Sequence, residues 1–312
     1  MSLVYLSLVY LSTCLLVYLS TCLLVSLFPC LPISSIHTSD KNMQRFFSIH
    51  TAKLLLALPF LYPLIWLLLG ALWPDNQPLA SIWLAPARWQ LSLANFATAA
   101  DVVPLARFAF NSLRIAVLAV PLALLVAALA AFAITQLPPR WQSFLIWISL
   151  AALLAPQKAI WLARFPLFKA LGWVNTPWPL VAPALLGGTP FFVLLLYWTF
   201  RRLPTELFEA ARLDGATTWQ IWRRVALPLA REGLLAVATL HFLHVWGDFA
   251  DPLLYLRSTA QMTLPVGLQL LAQIDITRWP VMMAGAVILS TPAIIIFLVG
   301  QRYVQQFPVG LR

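Results

Sequence analysis

Residues 201–232 read RRLPTELFEAARLDGATTWQIWRRVALPLARE, the most charged stretch of the chain and its one long polar interruption. Pro204 and Thr205 open a helix, with Glu206 in its first turn, where the positive dipole end favours an anion. Leu207, Ala210, Ala211 and Asp214 fall on one side at helical spacing, and the small Ala210-Ala211 pair leaves room for another protein to come close. Gly215 ends this helix as a left-handed cap residue. A second short helix runs from Thr218 through Trp219, Ile221, Trp222 and Val225 until Pro228 stops it. On composition alone the pair reads as amphipathic helices lying on a membrane surface.

The surroundings of this loop are apolar. Of 312 residues, 62% are hydrophobic and only 10% charged, where a soluble domain has about a quarter charged. Mean hydropathy is +0.86. The net charge of +10 therefore means basic loops facing anionic lipid, not a nucleic-acid face. A disordered chain, a disulfide scaffold and a soluble DNA binder are excluded. About 20 apolar residues cross a bilayer as a helix, and segments 54–73, 115–135, 143–163, 180–200, 233–256 and 281–300 qualify. The predicted fold class is all-α integral membrane, six crossings with both ends on one side. Arg201, Arg202, Arg212, Arg223, Arg224 and Arg231 assign that side to the cytoplasm.

The amino end has its own pattern. Leu-Val-Tyr-Leu-Ser recurs at 3–7, 8–12 and 16–20, and Ser-Thr-Cys at 12–14 and 20–22. All three cysteines, Cys14, Cys22 and Cys30, lie there, at a spacing that suits neither a metal site nor a closed disulfide set. Such short exact repeats suit slipped DNA, and the expectation is a division into 1–42, a repetitive extension, and 43–312, the transmembrane domain starting at Met43. Read as structure instead, 3–33 would add a seventh span. A secretory signal is not expected, since no basic residue precedes Lys41.

The spacing within 201–232 is specific. Glu209-Ala210-Ala211, three residues, Gly215, nine residues, Val225, one residue and Leu227-Pro228 resemble the "EAA" loop of ATP-binding-cassette (ABC) importer permeases. The resemblance continues in Asn111-Ser112-Leu113, in Pro166-Leu167-Phe168 with Leu171-Gly172 and Asn175-Thr176, and in Leu203-Pro204-x-Glu206-Leu207. Trp246-Gly247-Asp248-Phe249 and Thr263-Leu264-Pro265-Val266-Gly267 are similar to the carbohydrate, MalG-like class. It spans about Leu54 to Tyr303 and departs in two places. Gly247 precedes the acid where the family commonly has Asn, and the tail lacks a glycine-rich basic ending.

The resemblance implies a six-transmembrane-helix ABC importer permease bundle with a cytoplasmic coupling-helix loop, in the inner (cytoplasmic) membrane. It implies a sugar or related solute, and as partners an ABC ATPase dimer, a second permease subunit and an extracytoplasmic substrate-binding protein. ATP and Mg would be bound by the ATPase subunits, with no cofactor in this chain. Glu209, Ala210, Ala211, Asp214 and Gly215 take the ATPase-coupling role by position: the Ala pair for close approach, Gly215 for the turn, the acids for polar contact.

The remaining residues fit a transport subunit. No G-x-x-x-x-G-K-[S/T] loop is present to cradle ATP. His241 and His244 stand at i and i+3 without a third ligand at a recognisable spacing, so packing is the expectation and neither a metal site nor catalysis is assigned. Intramembrane charge costs on the order of 3 kcal/mol at a helix centre, so Lys158, Arg164 and Asp248 should face protein or water. They read either as snorkelling interface anchors or as residues of the translocation path. Basic residues on the outer side also suggest a vestibule that attracts an anionic solute. The alternative to an ABC permease is a self-sufficient secondary transporter or channel, which would need its own ion-coupling site or inverted repeat.

Overall fold

A computed structural model of the chain describes residue 59 and residues 61–74, 91–155, 157–274 and 278–305. The repetitive segment 1–42, Met43, most of the predicted first span, Pro156 and the tail beyond 305 lie outside the described residues, as does the Lys158 side chain. Every regular element among the described residues is helical: α1 (Leu61–Leu72), α2 (Ala94–Val102), α3 (Leu105–Thr135), α4 (Pro139–Leu154), α5 (Gln157–Ala170), α6 (Trp178–Val181), α7 (Pro190–Arg201), α8 (Thr205–Leu213), α9 (Thr218–Ile221), α10 (Arg231–Trp246), α11 (Ala250–Tyr255), α12 (Leu264–Ile274) and α13 (Trp279–Gln305). They fall in two compact units, one comprising the residues up to Ala97 with Arg278–Val287, the other Thr98–Thr277 with the residues from Ile288.

In the first unit the end of α1 is closed by side chain and backbone together. The Asn95 amide, 4% exposed, donates to the Ala71 carbonyl at 2.9 Å and to the Trp73 carbonyl at 2.6 Å. The last carbonyls of a helix have no intrahelical partner, and here a buried amide supplies one.

In the second unit α3 is the spine. At 1.5 Å per residue its 31 residues run about 46 Å, more than the ~30 Å of hydrocarbon. Ala116, Ala119, Ala123, Ala127, Ala128 and Ala131 are buried along it, and such small side chains let neighbouring helices approach closely. Toward its end, Phe132, Phe200, Trp222 and Val237 bring α3, α7, the 222–226 turn and α10 into one apolar cluster. Phe132 meets Phe200 edge-on at 5.8 Å.

Of the expected spans, 115–135 and 281–300 fall within single long helices, and three others are broken. The predicted 143–163 crossing is two helices, because Ala155, next to Pro156, takes an extended ψ of 130° as a residue before proline tends to. The predicted 180–200 crossing is interrupted at Gly187 and Gly188, both with positive φ, between a 3₁₀ turn (Ala182–Leu186) and α7. The predicted 233–256 crossing stops at Trp246, and a separate α11 follows Asp248. Upstream, 218–229 meets α10 at a bend of 77°. There Pro228 has no N–H to give, and the turn before it widens into a π-helix (Trp222–Ala226). Among the described residues, Leu105–Thr135, Trp178–Arg201 and Trp279–Val304 are long and apolar enough to cross a membrane, and the bent pair makes a fourth if it counts as one span.

Candidate functional site

Two places gather the sequence-predicted residues. The first is α8 and the turn after it. The N–H of Gly215 donates to the Arg212 carbonyl at 3.0 Å, and that of Ala216 to the Ala211 carbonyl at 3.0 Å. Gly215 itself stands at φ +79°. These bonds form a Schellman cap around a left-handed residue, which is why glycine occupies the position. Thr217 and Gln220 then close a reciprocal capping box on α9.

The Ala pair is divided between the two faces of α8. Ala211 is half-buried and packs with Phe208 on the apolar cluster, whereas Glu209, Ala210 and Asp214 are exposed. Leu207 and Leu213 are exposed beside them, Leu213 at 90%. Leu213 was not singled out from sequence, since Leu is the commonest helix residue and its exposure is a property of the fold.

A polar chain ties this loop to the rest of its unit. Arg212 donates to the Gln136 side chain at 2.6 Å, at the end of α3. Arg201 donates to the Tyr197 hydroxyl at 2.7 Å, and that hydroxyl donates to the Gln142 side chain at 2.9 Å. Gln142 in turn donates to the Leu137 carbonyl at 2.7 Å. Tyr197 is fully buried, so its hydroxyl depends on these partners. Tyr197→Phe removes one charge-assisted and one neutral hydrogen bond, about 2 kcal/mol together. The expected result is a thermal midpoint several degrees lower in detergent with wild-type membrane insertion, and an unchanged midpoint would mean that the chain carries no load.

The second place is a cavity of about 250 Å³ within the larger unit, walled by residues of α3, α5, α10 and α11. Arg164 and Asp248 line it, together with His241, His244, Asp251 and Thr263. The Arg164 guanidinium lies 3.7 Å from the Asp251 carboxylate, so it is not a free basic anchor of a vestibule. Asp248 stands one residue before Phe249, the N-cap of α11, and its Oδ1 accepts from the N–H of Ala250 at 3.1 Å and of Asp251 at 3.4 Å. Gly247 has φ −85°, a conformation open to any residue, although a Cβ there would stand 3.2 Å from the Leu243 carbonyl oxygen. Lys158 is placed on α5, with its side chain outside the described residues.

The other quoted motifs hold the cavity's walls. The Asn111 amide donates to the carbonyls of Ala260 at 3.0 Å and Met262 at 2.9 Å, and Ser112 Oγ accepts from the N–H of Leu264 at 2.9 Å. Asn175, at φ +64°, accepts from the N–H groups of Arg257 at 3.1 Å and Ser258 at 2.8 Å. Segments far apart in sequence are thereby fixed around one space. His241 and His244 stack at 6.2 Å, and among the described residues no three of His, Cys, Asp and Glu lie close enough to hold a metal.

Comparison with known proteins gives consistent matches. Residues 96–307 match the family model described as "Binding-protein-dependent transport system inner membrane component". The chain is 30% identical over 254 residues to the sulfoquinovosyl glycerol transport system permease protein SmoH of Agrobacterium fabrum, covering 80% of this chain and 88% of that one. It is 29% identical to the diacetylchitobiose uptake system permease protein NgcG of Streptomyces coelicolor, over 83% and 86% of the two chains. In fold it is similar, with a TM-score of 0.64 and 21% identity, to a chain of a bacterial ABC transporter involved in the import of the acidic polysaccharide alginate, covering 86% of this chain and 99% of that one.

Proposed function

Because this chain belongs to the binding-protein-dependent transport system inner membrane component family, and is thus a membrane permease subunit of an ABC importer, we propose that it conducts a sugar or sugar derivative released by an extracytoplasmic binding protein. In this reading the chain sits in the cytoplasmic membrane as a six-span bundle with both ends inside, beside a second permease subunit. An ABC ATPase pair binds ATP and Mg beneath it. The permease names of its relatives, for sulfoquinovosyl glycerol and diacetylchitobiose, support the sugar class.

The observation that carries the coupling part is the outward face of α8. Glu209, Ala210, Leu213 and Asp214 stand exposed there, backed by half-buried Phe208 and Ala211 packed on the apolar cluster and ended by Gly215. Movement of an ATPase seated on that face reaches α3 through Arg212 and Gln136. Arg164 and Asp248 belong in this reading to the translocation path because both line the cavity, and Lys158 joins them by its place on α5.

The test is co-purification of the ATPase with variants of α8. Burying a Leu side chain is worth about 1.5–3 kcal/mol, so Leu213→Ala should weaken ATPase binding by roughly 10- to 100-fold. Glu209→Lys should weaken it as well by reversing a charge at the contact. Equal recovery of the ATPase with both variants, at equal membrane levels, would remove α8 as the docking element.

A further inference from the structure

We propose that Arg223 and Arg224, flanked by Trp219, form a site for the headgroup phosphate of an anionic phospholipid in the cytoplasmic leaflet. The proposal rests on the placement of this chain in the membrane with 201–232 inside, and is independent of the solute it carries. Thr218–Leu229 meets α10 at 77°. With α10 crossing the bilayer, that angle lays the segment along the membrane surface, at the level of the headgroups. Its inner face is anchored, since Ile221, Trp222 and Ala226 are buried in the apolar cluster that includes Phe132, Phe200 and Val237.

The outer face carries both chemistries that a phospholipid headgroup region calls for. Trp219 is 56% exposed and stacks on the buried Trp222 ring at 4.7 Å. Such an amphipathic ring, half in contact with the fold, belongs at the boundary between headgroups and acyl chains. Arg223 and Arg224 follow it, both exposed, and neither guanidinium has an ion pair or hydrogen bond among the described residues. The backbone keeps the two together. The Leu227 N–H donates to the Trp222 carbonyl five residues back, and in this widened turn successive side chains diverge less than in an α-helix. A phosphodiester between them can accept from both guanidinia.

Charge selects the occupant. From Ala216 to Arg231 the chain holds three arginines and no carboxylate. The acids that flank this stretch, Asp214 and Glu232, are exposed and leave Arg223 and Arg224 unpaired. The exposed acids Glu206, Glu209 and Asp214 belong to α8 and its end, on the far side of the Gly215 turn and the Thr217–Gln220 capping box. The loop thus divides into an acidic face, read above as the ATPase seat, and a basic, aromatic face suited to an anionic bilayer surface.

The assembled importer, with both permeases and the ATPase, is placed in nanodiscs of equal phosphatidylglycerol and phosphatidylcholine, with Trp219 replaced by the photo-crosslinking aromatic p-benzoylphenylalanine. On illumination, position 219 should capture phosphatidylglycerol over phosphatidylcholine at least fivefold. Arg223→Gln with Arg224→Gln should bring that ratio below about twofold, whereas Arg223→Lys with Arg224→Lys should keep most of it. Arg140→Gln with Arg302→Gln removes the same charge from two other exposed positions and should leave the ratio unchanged. Excess inorganic phosphate should not displace the lipid, which its chains also hold. Capture of ATPase peptides in place of lipid overturns the proposal, as do equal capture of the two lipids, an equal loss in the Arg140 and Arg302 variant, or displacement by free phosphate. Should the glutamine pair fail to assemble, the lipid ratio and the phosphate competition with both arginines intact still decide. ATP hydrolysis stimulated by loaded binding protein, measured on the importer with Trp219 in place, separates these outcomes from a failure of the permease reading itself.

Discussion

Gly215→Val should leave the protein in the membrane at normal levels and reduce solute uptake at least tenfold. The left-handed conformation costs an ordinary L residue roughly 1–2 kcal/mol, and a β-branched one more. Nothing lies within 4 Å of where a Cβ would stand, so the effect is backbone strain and not a clash. Relief of that strain breaks the bonds from Gly215 to Arg212 and from Ala216 to Ala211, and with them the presentation of Leu213 and Asp214. Asn tolerates the left-handed region, so Gly215→Asn should retain most of the uptake. Uptake by Gly215→Val equal to the parent's, at equal protein, would show that the cap does not position the coupling face.

Asn175→Ala should be the most destabilising single change near the cavity. It leaves the N–H groups of Arg257 and Ser258 without their acceptor and replaces Asn, which tolerates the left-handed region, by Ala at φ +64°. Two lost hydrogen bonds and the less tolerant residue at positive φ sum to about 2–4 kcal/mol, or roughly 5–10 °C in thermal midpoint. Asn175→Asp keeps the acceptor and should fall by less than half as much. A midpoint for Asn175→Ala within about a degree of the parent's would mean that the 255–258 segment is held by other contacts.

Much of this was legible in the sequence because the bilayer restricts what a chain can do. Long apolar runs had to be helices, and Leu105–Thr135 and Trp279–Gln305 are. Gly215 was legible because a left-handed cap has few candidate residues. The breaks were harder. Apolar composition continues through 187–188 and past Trp246, and hydropathy does not register a break made by two glycines or by the turn at Asp248.

The cavity groups were legible only in part. Asp248 and Arg164 stood out as charges in apolar surroundings, and the structure brings both to one space. Asp251 was passed over, although it neighbours Asp248 and pairs with Arg164. His241 was expected to pack, and nothing in an i, i+3 spacing distinguishes a packed imidazole from one at a cavity wall. Thr263 depends on Asn111 and Ser112, some 150 positions away, and such pairings are invisible to local pattern.

The most direct measurement of the central claim is ATP hydrolysis by the reconstituted importer in proteoliposomes, with this chain, its second permease, the ATPase pair and the sugar-loaded binding protein. Hydrolysis should rise severalfold on addition of the loaded binding protein, with sugar accumulating inside, and both should be lost when Leu213→Asp and Gly215→Val are combined. Sugar accumulation by this chain alone, driven by an ion gradient without ATP, would contradict the account and establish a self-sufficient transporter in its place.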